Sequence, residues 1–164
     1  KLGYTVMISN FSEYYRMVDY FSTFTNQHIG VAMGVNNLLD VFDEEYYKNL
    51  PGGILEAFGK FFKKDMRVYL YPYKDMKTGE LLTSENLKVH DNLKELYKYF
   101  KLNKRIVDIE NFNPKFLEIY SREILKKIVT QELGWEEELP IGVSEMIKDR
   151  QMFGYKELTF DGLN

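Results

Sequence analysis

Asparagine recurs where this chain leaves its apolar runs: Asn10 after residues 4–9, Asn36 and Asn37 after residues 28–34, Asn111 and Asn113 after residues 105–109. In an open parallel sheet, ligands bind beside the carboxyl ends of strands, so side-chain amides there can hydrogen-bond the ribose or amide groups of a nucleotide. The same side chains suit caps and turns, where they bond their own backbone. A second candidate lies late in the chain, where Ser121 and Arg122, followed by Lys126 and Lys127, open a helical stretch. First-turn amides, a hydroxyl and positive charge together can grip phosphate. The structural alternative is a Ser-capped helix with a basic outer face.

Other groups have plainer readings. Gly30 and Gly34 form GxxxG, a poor dinucleotide fingerprint that close packing of a strand against a helix explains. Pro51-Gly52-Gly53 precedes a helical pattern and could expose amides to phosphate, but proline at a helix start is also an ordinary start signal. Asp40, Asp43, Glu44 and Glu45 could attract Mg²⁺, yet acids are favoured at a helix start by its dipole. We read them as a solvated face and assign no metal ligand. His28 opens an apolar run and is expected to complete a local hydrogen bond; His90 is expected in an exposed loop. Nothing nearby in the sequence pairs either histidine with a nucleophile. Lys94, Lys98, Lys101, Lys104 and Arg105 interleave with Tyr97, Tyr99 and Phe100, as amphipathicity with snorkelling lysines predicts.

The elements that must position these groups alternate in type. Residues 4–9 are β-branched and apolar, predicting a first strand. A helix follows from about Ser12, with Tyr14, Met17, Val18 and Phe21 on one face. Strands are predicted over 28–34, 66–73 and 105–109. Helices are predicted over 36–42, from Ile54 to Phe62, over 93–100, over 114–131 and over 141–150, with a polar turn at 75–80. Strands alternating with helices imply βαβ units, hence an α/β fold: one three-layer Rossmann-like domain over 1–155 with a mostly parallel sheet, and a frayed tail over 156–164.

Composition sets the outer limits. The chain has 164 residues, 45% hydrophobic and 29% charged, with 12 Phe and 13 Tyr, enough to build a core and exclude overall disorder. It has no cysteine, which excludes disulfides, thiolate metal sites and cysteine nucleophiles. A net charge of -3 argues against nonspecific nucleic-acid binding. The longest uncharged stretch, residues 21–39, is too polar for a membrane span, and the expected location is the cytoplasm. The chain begins at Lys1, so a natural start elsewhere is expected.

Two blocks of the chain resemble bacterial nicotinate-nucleotide adenylyltransferases. Ile119, Ser121 and Ile124, then Leu139, Pro140, Val143, Ile147 and Phe153, follow that family's C-terminal pattern, an I-S-S-T-x-I-R helix start and an L-V-P-x-x-V segment. Residues 29–39 resemble the family's strand and G-x-D-x-L loop, which places Gly34 and Asn36 where the family positions its dinucleotide. The departures are specific: Tyr120, Arg122 and Leu125 stand where the family has Ser, Thr and Arg, and Asn36 where it has Asp. The family's G-x-F-x-P-x-H-x-G-H motif is absent from the chain. The resemblance implies part of a longer adenylyltransferase-like protein that joins ATP to a nicotinate mononucleotide, with Mg²⁺ shielding phosphate. Ser121 and Arg122 would contact phosphates, and Gly34 and Asn36 the ribose or base. It implies that this portion is inactive alone. The alternative is a non-catalytic Rossmann-like module that senses a nucleotide or docks a protein.

Overall fold

The fold follows a computed structural model, which describes residues 3–156. They form two compact units that divide after Asn111. The expected tail, beyond Lys156, lies outside the described residues. The chain is mixed α/β, with six α-helices among the described residues. None of those helices is long and apolar enough to cross a membrane.

The first unit is built on a three-stranded parallel sheet, β1 (Ile29–Gly34), β2 (Met66–Tyr71) and β5 (Ile106–Asp108), in the order β1-β2-β5. Register runs Val31 to Val68 and Met33 to Leu70 on one side, and Val68 to Ile106 on the other. Alternation does the sorting: Val31, Met33, Met66, Val68, Leu70 and Ile106 are buried, while Gly30 and Ala32 are exposed. Helices α1 (Tyr14–Phe24), α2 (Val35–Val41), α3 (Gly53–Phe61) and α4 (Lys94–Leu102) all contribute to the core on the buried face. Phe42, Phe61, Leu38 and Val18 are its most enclosed members. Each such side chain contributes about 1.5–3 kcal/mol by leaving water.

The third layer expected from the sequence is not built by the described residues. Their strands advance in one direction, and right-handed crossovers that always advance the same way lay successive helices on the same face. A separate antiparallel pair, β3 (Tyr73–Lys74) and β4 (Leu81–Leu82), brackets the predicted turn, which Asp75 closes by donating its amide to the Glu80 carbonyl at 2.9 Å.

The predicted first strand is not one. Tyr4, Val6, Met7 and Ile8 are 81%, 81%, 66% and 94% exposed, and residues 4–9 pair with no strand among the described residues. β-branched composition describes a segment that suits a half-buried pleated surface; it does not supply the neighbour that makes the ladder. The helix predicted near Ser12 begins at Tyr14, with Glu13 as its N-cap. Its fully buried positions are Tyr15, Val18 and Ser22, and the Ser22 hydroxyl donates to the Val18 carbonyl at 2.6 Å.

The second unit is helical. The single helix predicted over 114–131 is broken: Asn113 caps a 3-10 turn over Pro114–Glu118, Ile119 and Tyr120 are extended, and α5 runs Ser121–Thr130. With α6 (Val143–Asp149) it encloses Ile124, Ile128, Trp135 and Ile147. The Lys148 ammonium lies 5.5 Å from the Trp135 ring centre and pairs with Glu136 at 2.7 Å.

Candidate functional site

A cleft of about 370 Å³ opens where β1 runs into α2, against the start of α1. The chain makes it in two moves. Gly34 ends β1 and is the N-cap of α2, so residues 36–40 turn out of the sheet in a single helical turn. Residues 11–14 bring the start of α1 to the same place. Asn37 and Asp40, separated by three positions and therefore on one side of α2, line the cleft together. Opposite them stand Ser12, Glu13 and Tyr14.

The walls are aromatic, and the charged groups are two carboxylates, Glu13 and Asp40. Phe11, Tyr14, Tyr46 and Tyr47 contribute rings. The Asn37 amide donates to the Tyr14 hydroxyl at 2.9 Å, which orients that phenol at the rim. The Ser12 hydroxyl donates to a Glu13 carboxylate oxygen at 2.6 Å. The Tyr47 hydroxyl donates to the Val41 carbonyl at 2.8 Å. Burial, reinforced by Tyr15, Asp43 and Glu13, pushes the Tyr47 phenol well above its ordinary range, so it stays a neutral donor. Among the described residues no lysine or arginine lines this cleft, whereas Glu13 and Asp40 both do. Such a site suits a flat ring between aromatic walls and hydroxyl groups donating to carboxylates; it does not suit a naked phosphate.

The sequence-derived candidates fall in two places. Gly34 and Asn36 belong to the first unit, at the N-terminus of α2. Ser121 and Arg122 belong to the second, at the N-terminus of α5. A Cβ at Gly34 would meet nothing within 4 Å, so tight packing does not explain this glycine. Asn36 is exposed and is not among the cleft residues; its neighbour Asn37 is. Ser121 and Arg122 are exposed, and the residue that caps α5 is Tyr120, not Ser121.

Other readings resolve against ligands. The Gly52 amide donates to Glu56 at 3.0 Å, so the amide offered by Pro51-Gly52-Gly53 is occupied from within the helix. Asp43 accepts from the Glu45 amide at 3.0 Å and caps a 3-10 turn over Glu44–Tyr47. Among the described residues no group of three or more His, Asp or Glu side chains could hold a metal ion. Lys94, Lys98 and Lys101 pair with Asp91, Glu95 and Glu85.

Glu13 and Tyr14 had no sequence signal as site residues, and Asp40 was read only as part of a solvated acidic face, because the cleft brings together positions on two helices separated by a strand. No family model, no curated protein and no solved structure matches the chain.

Proposed function

We propose that the first unit is a Rossmann-like nucleotide-binding module that takes the nucleoside part of its ligand in the cleft between α1 and α2. The observation that carries this reading is the pairing of aromatic walls with Glu13 and Asp40 beside α2, the helix that directly follows the parallel strand β1. Carboxylates at such a place accept from ribose hydroxyls, and rings such as Tyr14 and Tyr46 stack on a base. The phosphates of a nucleotide would lie outside the cleft, away from the two carboxylates.

Thermal unfolding with adenosine, ATP, nicotinate mononucleotide and a dinucleotide tests this directly. A ligand at 100 times its Kd adds about 2.7 kcal/mol of stability, enough to move the transition by several degrees. A shift with nucleosides or nucleotides that disappears in Asp40→Asn is the expected result. No shift with any of the four removes the reading.

A second reading is an adenylyltransferase-like ancestry, in which the chain belongs to a protein that joins ATP to a nicotinate mononucleotide. What favours it is the location of Gly34 and Asn36, at the strand end and first helical turn to which the resemblance assigns ligand contact. The chain is silent in adenylyl transfer by itself, since no H-x-G-H motif occurs in it. Formation of dinucleotide and pyrophosphate by these 164 residues alone would contradict that silence.

A further inference from the structure

At the opposite end of the sheet three polar side chains are joined in line. His28 immediately precedes β1, Asp65 immediately precedes β2, and Tyr69 lies within β2. The His28 Nδ1 is 3.2 Å from an Asp65 carboxylate oxygen, and its Nε2 is 3.1 Å from the Tyr69 hydroxyl. Neither contact is local, for the partners are 37 and 41 residues away.

Hydrogen-bonding roles set the direction of the chain of groups. A carboxylate only accepts, so in a neutral imidazole Nδ1 carries the hydrogen and Nε2 is bare. A bare Nε2 accepts from the Tyr69 O–H. Partial burial raises the Asp65 carboxyl, but the charge and hydrogen bond of Arg67, together with His28, outweigh it and hold Asp65 below its ordinary value. It is therefore an anion that fixes the tautomer. The result is a hydroxyl, a base and an acid that orients the base, the arrangement that activates a nucleophile.

The backbone is shaped to admit it. Gly30 faces Arg67 in the register of β1 and β2, and Ala32 faces Tyr69. A Cβ at Gly30 would lie 2.9 Å from the Tyr69 ring, so the phenol can lean across the edge strand toward His28 only because that position is glycine. The two rings meet edge-on at 6.0 Å. Beside them, Arg67 and Arg105 line a polar hollow of about 300 Å³ with Asp65 and Asn103. One bond anchors each guanidinium: Arg67 donates to Asp65 at 3.2 Å, and Arg105 to the Met66 carbonyl at 3.0 Å. Arg67 lies in β2 and Arg105 immediately precedes β5, and two guanidinium groups lining one hollow can hold a dianion.

We infer that Tyr69 is a base-activated phenol that accepts a phosphoryl group from a small phosphorylated donor held by Arg67 and Arg105. The phenol oxygen forms the new O–P bond. The bond from phosphorus to the leaving oxygen breaks and its electron pair departs with that oxygen. The phenol proton passes to Nε2 of His28. This site is independent of the cleft between α1 and α2.

Acetyl phosphate is the probe, applied to the full chain and read by peptide mass spectrometry, with N-acetylimidazole as a neutral acylating control. Phosphorylation at Tyr69, ahead of the exposed Tyr4 and Tyr46, is the expected result. A general base contributes roughly 10²–10⁴-fold, so His28→Gln should slow Tyr69 labelling by both reagents by about a hundredfold or more. Arg67→Gln with Arg105→Gln should slow the acetyl phosphate reaction alone. Circular dichroism confirms that each variant is folded; if His28→Gln is not, Asp65→Asn serves in its place. Tyr69 labelling no faster than Tyr46, or unchanged in a folded His28→Gln, overturns the activated phenol. Acylation without phosphorylation overturns the phosphoryl donor.

Discussion

Where β1 runs into α2, the first unit gathers carboxylates and aromatic rings around a cleft; where β1 and β2 begin, it gathers an imidazole, a phenol and two guanidinium groups on a shallow face. The first end has Glu13 and Asp40 and, among the described residues, no basic side chain. The second has Arg67 and Arg105 with one carboxylate, Asp65. The cleft joins residues on two helices, so its shape depends on helix packing. The His28 group joins residues at and before strands, so its shape depends on sheet register. The same sheet thus carries two different groupings of side chains, which should respond differently to substitution.

A change that both ends share should have the largest effect. Phe42 is 1% exposed and meets the Phe58 and Tyr97 rings at 4.9 and 5.2 Å. Phe42→Ala should cost about 3–5 kcal/mol in denaturant unfolding, and it should weaken nucleoside binding and Tyr69 labelling together. Retention of one without the other would show that the two ends do not rest on a common core.

Gly30→Val should act at one end only. Its added carbons collide with the Tyr69 ring, a cost of about 1–3 kcal/mol for overpacking. Tyr69 labelling should fall to that of an exposed tyrosine while nucleoside binding persists. A nucleoside affinity that falls in parallel would break the proposed independence.

Asp40→Asn tests the other end. Losing a charged hydrogen-bond acceptor is worth about 1.5–3 kcal/mol, at least tenfold in Kd. Calorimetric titration with adenosine should show that loss with Tyr69 labelling unchanged.

The smallest effect is electrostatic. Asp65 has a folded-state pKa below its ordinary value, so its ionised form adds stability at pH above the ordinary carboxylate pKa, about 4. That contribution is lost as pH falls through the lower folded value. An NMR titration of the Asp65 carboxyl carbon should give a low midpoint that rises in Arg67→Gln. A midpoint unaffected by the substitution would assign the shift elsewhere.

Much of this fold was legible locally. Valine, isoleucine and methionine in short runs announced β1, β2 and β5, because such residues suit a pleated surface that is buried on one face. Asp75 and Gly79 announced a turn that the β3–β4 pair closes. Residues 4–9 carried the same signal and form no strand, since propensity says nothing about whether a partner edge is present. Ile119 and Tyr120 suit a helix as well as their neighbours do, yet they are extended. Only the capping by Asn113 and the packing of Ile124 and Ile128 around Trp135 divide that stretch.

The sites were less legible. Gly34 ends β1 and Asn36 lies in the first turn of α2, but the side chains that line the cleft are Asn37, which the sequence offered beside Asn36, and Asp40, which it did not single out for this role. The GxxxG pair separates in meaning: Gly30 is required by the Tyr69 ring, and Gly34 has open space. His28 was expected to bond locally and instead reaches two residues on the next strand and its approach.

From the residues alone came the alternation of strands and helices, the parallel winding, the missing cysteine and the absence of an H-x-G-H motif. These depend on composition and near-neighbour periodicity, which are written along the chain. Tertiary structure alone decided which face of the sheet stays open, that residues 4–9 go unpaired, and that His28 meets Asp65 and Tyr69. Those outcomes depend on register and crossover direction, which join residues that no local pattern connects.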